Sequence, residues 1–372
     1  MVYLDYSATT PGRKEVLDTY IDASLKFIGN PNSLHKLGTD AKNLIESATR
    51  QIERILNIKD KEVIYTSGSS ESNNLVIKGV ATKYKNRGKH IITTPFEHSS
   101  IYGPLNYLTE EGFEVEFVNI DENGLVDLEH LKSIIRDDTI LVSIASVNSE
   151  IGILQPIKEI GEIIREFPKC YFHSDMTQSV GKVEVPMDNV DFISFSAHKF
   201  FGVKGIGCLL KRNNIVIEPL IHGGKSTSIY RSGTPALPLI VSMSKALRLA
   251  YQDFDNKYKH VCELNNYLKR ELSKISNVYV NSNDKCIPHI LNISVIDVKP
   301  ETMLHALEEY DIYISTQSAC SSGASHSKAV LSLTKDEKRA KSSIRISISS
   351  ITTKEEIDLF LDALKKSIER LV

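Results

Sequence analysis

Tryptophan is absent from the 372 residues, and cysteine is scarce. The five cysteines are Cys170, Cys208, Cys262, Cys286 and Cys320, an odd number with no paired spacing. That excludes a disulfide scaffold, and without a C-x-x-C string it excludes the usual zinc and dithiol patterns. No apolar run approaches the roughly 20 residues that a membrane span needs. No long basic run exists and the formal net charge is −2, so no global field draws the chain to nucleic acid or anionic lipid. The opening string MVYLDYSATTP has neither a basic region nor an apolar stretch of the secretory type, and a cytoplasmic setting is expected.

What is present is an ordinary globular composition, 41% hydrophobic and 25% charged, able to bury a core of its own. Between about residues 60 and 210, short apolar runs alternate with helix-length stretches. The runs are EVIYT, HIITT, EVEFV, ILVSIA, YFHSD, DFISFS and GIGCLL. The stretches include Glu71–Lys85, Asp127–Arg136 and Pro156–Phe167. This rhythm predicts an α/β fold with a mostly parallel sheet covered on both faces. Ligands of such sheets bind beyond the carboxyl ends of the strands, so the chemistry is expected just after these runs. Residues 235–275 read as one long helix, and a smaller α+β domain is expected after it. The first 20 or so residues are expected to pack on that domain or on a partner subunit.

Several residues after the runs could carry chemistry. Lys199 follows DFISFS; an amine desolvated there becomes nucleophilic, as a Schiff-base lysine must, although taken alone it is an ordinary strand-end lysine. Ser69 and Ser70, in TSGSSE, stand between a strand and a helix and could cradle an anion or merely cap the helix. Asp175 ends YFHSD and could pair with a protonated heteroaromatic nitrogen; Gln178 follows three residues later. His98 follows another run and could stack on a planar cofactor and carry protons, or cap a helix. Arg345, in SSIRIS, suits a substrate carboxylate or a structural ion pair. Cys320 sits in STQSACSSGAS, a small-residue run that packs poorly and predicts a mobile, reachable thiol. Singly these signals are weak; jointly they are ordered along one α/β chain.

The same strings carry a resemblance that runs nearly end to end. YLDYSATTP, GNPNSLH, TSGSSESNN, EHSS, VNSEIG, DMTQSVGK, SFSAHKFFGVKGIG, HGG, RSGT, SACSSG and SSIR together resemble the NifS/IscS-type cysteine desulfurases, pyridoxal phosphate enzymes of the class-V aminotransferase family. The resemblance implies an aspartate-aminotransferase-like large domain over 16–250, a small domain over 251–372 bearing the cysteine loop, and an N-terminal segment, 1–15, packed on the small domain. It implies that Lys199 holds the cofactor, with Ser69, Ser70, Ser196 and His198 around the phosphate. Asp175 matches the pyridine-nitrogen partner, Gln178 a ring-hydroxyl contact and His98 the stacking imidazole. Thr234 matches a phosphate ligand donated by the other subunit of a homodimer. Arg345 and Asn30 match substrate-carboxylate contacts, and Cys320 the thiol that becomes a persulfide. No metal is implied. The implied activity is conversion of L-cysteine to L-alanine, with sulfur passed to an acceptor such as an iron–sulfur scaffold or a tRNA-thiolation enzyme.

Two positions depart from the family pattern. Asn148-Ser149 stands where two consecutive Asn are usual, so a cofactor contact is expected through water or from Asn148. Ser69-Ser70 stands where Ala-Thr is more usual and keeps the hydroxyl. Neighbouring readings are a selenocysteine lyase-type enzyme, for which Cys320 would be dispensable, and a non-catalytic sulfur-relay homologue.

Overall fold

The computed structural model describes residues 1–316 and 326–371. The first half of the chain runs β1 (Val2–Tyr3), α1 (Lys14–Lys26), α2 (Lys36–Ile55), β2 (Lys61–Thr66), α3 (Ser69–Tyr84) and β3 (His90–Thr93). It continues through α4 (Ser99–Glu110), β4 (Glu114–Phe117), α5 (Leu128–Ile134), β5 (Thr139–Ser143), α6 (Ile157–Ile164), β6 (Tyr171–Asp175), β7 (Phe192–Ser196) and β8 (Gly207–Arg212). The rest is α7 (Leu237–Tyr251), α8 (Phe254–Leu272), β9 (Val278–Val280), β10 (Ile290–Val295), α9 (Pro300–Glu308) and β11 (Ile312–Tyr313). It closes with α10 (Lys328–Thr334), α11 (Glu337–Lys341), β12 (Ser343–Ser347) and α12 (Lys354–Leu371).

Seven strands form one sheet in the order β2-β8-β7-β6-β5-β3-β4. All its neighbours are parallel except β8, which runs against both β2 and β7. Successive side chains of a strand point to opposite faces, and here consecutive apolar residues fall into two different cores. Ile91, Leu141, Phe192 and Leu209 pack with α3 and α4 on one face. Ile92, Val142, Ile193 and Leu210 pack with α1, α2, α6 and α7 on the other. Helix α2 shows why it docks: Ala41, Ile45, Ala48 and Ile52 recur at helical spacing and all are buried.

A third core joins α8, α9 and α12 to the antiparallel sheet β12-β10-β9. Val2 and Leu4 belong to this core, and β1 pairs in parallel with β11. The expectation for the first 20 residues holds only in part. Helix α1 already starts at Lys14 and places Val16 and Ala23 in the core of the large sheet.

The expected single helix over 235–275 is two helices. Gln252 leaves the helical region at φ −69°, ψ 126°, and Asp253 takes a left-handed conformation at φ 55°, ψ 40°. Aspartate tolerates that conformation better than most side chains. Lys257 Nζ then donates to the carbonyls of Leu249 (2.6 Å) and Ala250 (3.4 Å), closing the end of α7.

Candidate active site

Strand β7 ends at Ser196, and one 3₁₀ turn, Ala197–Lys199, swings the lysine over the carboxyl ends of the sheet. Lys199 Nζ donates to the carbonyls of Ser7 (2.6 Å) and Ala8 (2.9 Å). The 16-residue helix α3 begins beside it, right after β2. Ser196 Oγ accepts from the Ser69 backbone N–H at 2.7 Å and donates to Ser69 Oγ at 3.0 Å. The first turn of a helix offers free N–H groups and the positive end of its dipole, which suits a phosphate. The approach is tight: a Cβ on Gly207 would lie 2.5 Å from Gly68 Cα, so β8 can only start here on a glycine. His198 Nδ1 lies 3.1 Å from Thr9 Oγ1. Burial, helped by Lys199, Lys204 and Lys182, holds His198 down at about 4, so it is neutral.

Asp175 terminates β6 and is buried. Its Oδ1 accepts from Thr177 N–H (3.0 Å) and its Oδ2 from Asn73 Nδ2 (2.8 Å). Asn73 Nδ2 also donates to Ser100 Oγ at 2.9 Å, and Ser100 Oγ lies 2.8 Å from His98 Nδ1. Since Ser100 Oγ accepts from Asn73, its own hydrogen is free for His98 Nδ1, which also accepts from Ser100 N–H at 3.2 Å. The His98 proton is thereby placed on Nε2. Burial lowers the His98 pKa, and Lys199 lowers it further while Asp175 opposes, so the ring is neutral. His98 is thus both the cap of α4 and a wall of the cavity. Gln178 is heavily used: Nε2 donates to Ser7 O (3.0 Å) and Oε1 accepts from Lys182 Nζ (2.7 Å). One amide hydrogen remains for a ligand.

Arg345, on β12, is 1% exposed. Its Nη2 donates to Asp5 Oδ1 (2.8 Å) and its Nη1 to the Ser149 carbonyl (3.0 Å). Asn148 does not reach this cavity. Its Nδ2 donates to Phe96 O (3.0 Å), and its Oδ1 accepts from Glu150 N–H (3.0 Å) and Ile151 N–H (2.7 Å). The Asn148 side chain instead holds the turn that presents Ser149.

These residues line one cavity of about 250 Å³. Lys199, His98, Ser69, Ser70, Asp175, Gln178, Ser196, His198, Ser149 and Arg345 all face it. Thr234 and Asn30 do not; both are exposed, and Asn30 Oδ1 accepts from Asn32 N–H at 3.0 Å. Cys320 lies outside the described residues. Sequence reasoning missed Asp5, Ser7, Ala8, Asn73, Ser100 and Thr177. Asn73 was within reach of it, since it stands four residues after Ser69 and so one turn along the same side of α3. Among the described residues one trio, His90, Glu114 and Glu116, could reach a common ion. Arg136 already bonds both oxygens of Glu114, at 3.0 and 2.8 Å.

The cavity can be tested against a flat, phosphorylated heteroaromatic aldehyde. Ser7 Oγ and Thr177 Oγ1 are buried in its wall and find no hydrogen-bond partner among the described residues. A polar ligand satisfies such groups, and an apolar one leaves them unpaired. The helix terminus fits the phosphate, the Asp175 carboxylate a ring N–H and the Lys199 amine a carbonyl carbon. Fold and donor set together define a pyridoxal phosphate enzyme of aspartate-aminotransferase-like architecture.

Comparison with known proteins narrows that class. The aminotransferase class-V family model matches residues 2–360. A cysteine desulfurase IscS of Dictyoglomus turgidum is 41% identical over 375 residues, covering 100% of this chain and 95% of that protein. A mitochondrial cysteine desulfurase of Saccharomyces cerevisiae is 41% identical over 377 residues, 100% of this chain and 75% of that protein. A solved NifS-like protein superposes with a TM-score of 0.94 at 33% identity, covering 100% of both chains. Another, SspA in complex with cysteine, gives 0.83 at 30% identity, over 95% of this chain and 100% of that one. The chain belongs to the class-V aminotransferase family and, within it, to the NifS/IscS-type cysteine desulfurases.

Proposed function

We propose that the chain takes the sulfur of L-cysteine onto Cys320 as a persulfide and releases L-alanine. The observation that carries this reading is one cavity lined by a strand-end lysine, a buried aspartate, a serine-rich helix terminus and a buried arginine. Pyridoxal phosphate supplies the electron sink that makes the α-proton of a bound amino acid removable.

The chain's own residues do the rest. Ser69, Ser70, Ser196 and the α3 terminus would hold the phosphate, with His198 neutral beside them and Thr234 contributed by a second copy of the chain. Asp175, anchored by Asn73 and Thr177, would keep a proton on the ring nitrogen. Lys199 Nζ would hold the cofactor's carbonyl carbon and would be the group that carries the substrate's α-proton. Arg345 binds the α-carboxylate. His98 holds its proton on Nε2, the position from which it can serve the substrate thiol. The Cys320 thiolate attacks the substrate sulfur; a sulfur–sulfur bond forms, the carbon–sulfur bond breaks, and its electron pair stays with the carbon that takes a proton to become the alanine methyl.

A homodimer with shared sites is part of this reading, as is delivery of the persulfide sulfur to an acceptor protein, an iron–sulfur scaffold or a tRNA-thiolation enzyme. A cytoplasmic setting agrees with it, because the four described cysteines are all free. The test uses the purified holoprotein with L-cysteine and a thiol reductant. Cys320→Ala should keep the visible absorbance of the cofactor and release no sulfide. Normal sulfide release by that variant would sink the assignment.

A further inference from the structure

The N-terminal segment does more than extend a sheet. The Ser347 backbone N–H donates to Leu4 O (2.7 Å), and Ser7 N–H donates to Ser347 Oγ (2.9 Å). Asp5 forms an isolated parallel bridge with Ser347, two residues along β12 from Arg345. Residues 4–7 are thereby bolted to the strand that bears the arginine. From that position Asp5 reaches Arg345 Nη2 at 2.8 Å, while the Ser149 carbonyl takes Nη1. Arg345 Nε has no partner among the described residues. A guanidinium fastened at both terminal nitrogens cannot turn in its own plane, and so presents its remaining hydrogens in one direction.

The same segment touches the other reactive group. Two and three residues after Asp5, the carbonyls of Ser7 and Ala8 hold Lys199 Nζ. The amine and the carboxylate of an α-amino acid are joined through one carbon. A site selective for such molecules must keep its lysine and its arginine at one matched spacing, and a stretch of four residues here contacts both.

We infer that Asp5 is a positioning residue: its ion pair aims Arg345 at the α-carboxylate of the substrate and sets the preference for α-amino acids over amines that lack a carboxylate. This rests on the function proposed above and adds a specificity element to it. Asp5 does not touch the reacting atoms. Its effect passes through Arg345, and it therefore acts on binding of one substrate group more than on the chemical step.

The test compares Asp5→Ala with Asp5→Glu in the holoprotein. Asp5→Ala should raise KM for L-cysteine at least about tenfold, since loss of the carboxylate partner of a buried arginine is costly. Its kcat should stay within about threefold, the mark of lost ground-state binding. Affinity for cysteamine, which has the amine and thiol without the carboxylate, should not change. Asp5→Glu should recover part of the KM. In an Arg345→Ala background, Asp5→Ala should add nothing further. An unchanged KM, an equal loss with cysteamine, or a persistent effect without Arg345 would each overturn the inference. If Asp5→Ala fails to take up cofactor, Asp5→Asn supplies the same comparison. If the unaltered chain forms no alanine from cysteine, the proposed function fails; binding of L-alanine against ethylamine, followed by cofactor absorbance, then decides Asp5 separately.

Discussion

The lysine side and the arginine side of the cavity are built differently. Around Asp175 and His98 part of the support is local, although Asn73 reaches Asp175 from α3 and the Ser7 and Ala8 carbonyls hold Lys199. Asp175 is held by Thr177, two residues on, and His98 by Ser100, two residues on. Each group sits where a strand of the large sheet stops, and the sheet itself fixes the spacing. Arg345 has no such frame. Its partners lie 340 and 196 residues away in the chain, on the N-terminal segment and on the turn after Val147. One side is the rim of a single rigid sheet; the other is a junction of three segments. The first side divides its support between the sheet and the N-terminal segment, whereas the placement of Arg345 depends on long-range agreement throughout.

Perturbations that keep to one side should therefore leave different signatures. The largest is expected for Lys199→Ala, with kcat for alanine formation down by roughly 10³-fold or more, because nucleophile and proton carrier vanish together. Loss of the lysine-bound cofactor band in the visible spectrum should accompany it. Arg345→Ala should retain that band but lower kcat/KM by about 10²-fold, since Asp5 is left without its cation. If the band disappears as well, the two sides are not separable. Asn73→Ala cuts the link between Asp175 and Ser100 and should lower kcat about tenfold with KM unaltered, measured by steady-state kinetics.

Acid should be felt on the lysine side. The folded chain holds His198 at about 4, below the ordinary 6.5. Between those values the unfolded chain binds a proton that the folded chain does not, so stability rises with pH across the window and is lost as pH falls through it. A melting-temperature series from pH 7 to pH 4 should show this slope, and His198→Gln should flatten it. The smallest effect is expected for Thr177→Val, which removes a buried hydroxyl of the cavity wall. Cofactor affinity should weaken by only about threefold, as for one neutral hydrogen bond, and no change at all would mean that this hydroxyl never meets the ligand.

The same contrast explains what could be read in advance. The strands of the large sheet were legible because each is a short β-branched or aromatic run bounded by turn residues, and Lys199, Asp175 and His98 followed from being placed just beyond those runs. Helices α1 and α2 passed unnoticed beside the stronger strand rhythm. The break at Gln252-Asp253 was invisible because no glycine or proline marks it. Arg345 was noticed as a lone cation on a strand, but nothing local announces that Asp5 is its partner. Both expectations for it, substrate contact and ion pair, are compatible, since the guanidinium is paired and still faces the cavity. Nothing local in the sequence announces that the Asn148 amide oxygen is taken up by the turn that follows it.

The bond between Asp5 and Arg345 also has a date in the life of the molecule. Asp5 leaves the ribosome well before Arg345 and waits while some 340 further residues are made, on the order of tens of seconds at ordinary elongation rates. Through that interval the large sheet can complete its strands, yet the segment that aligns Arg345 has no strand to lie on. Substrate selectivity is therefore a late acquisition of the nascent chain. A chaperone that shields residues 1–10 during synthesis would be guarding the enzyme's discrimination more than its fold.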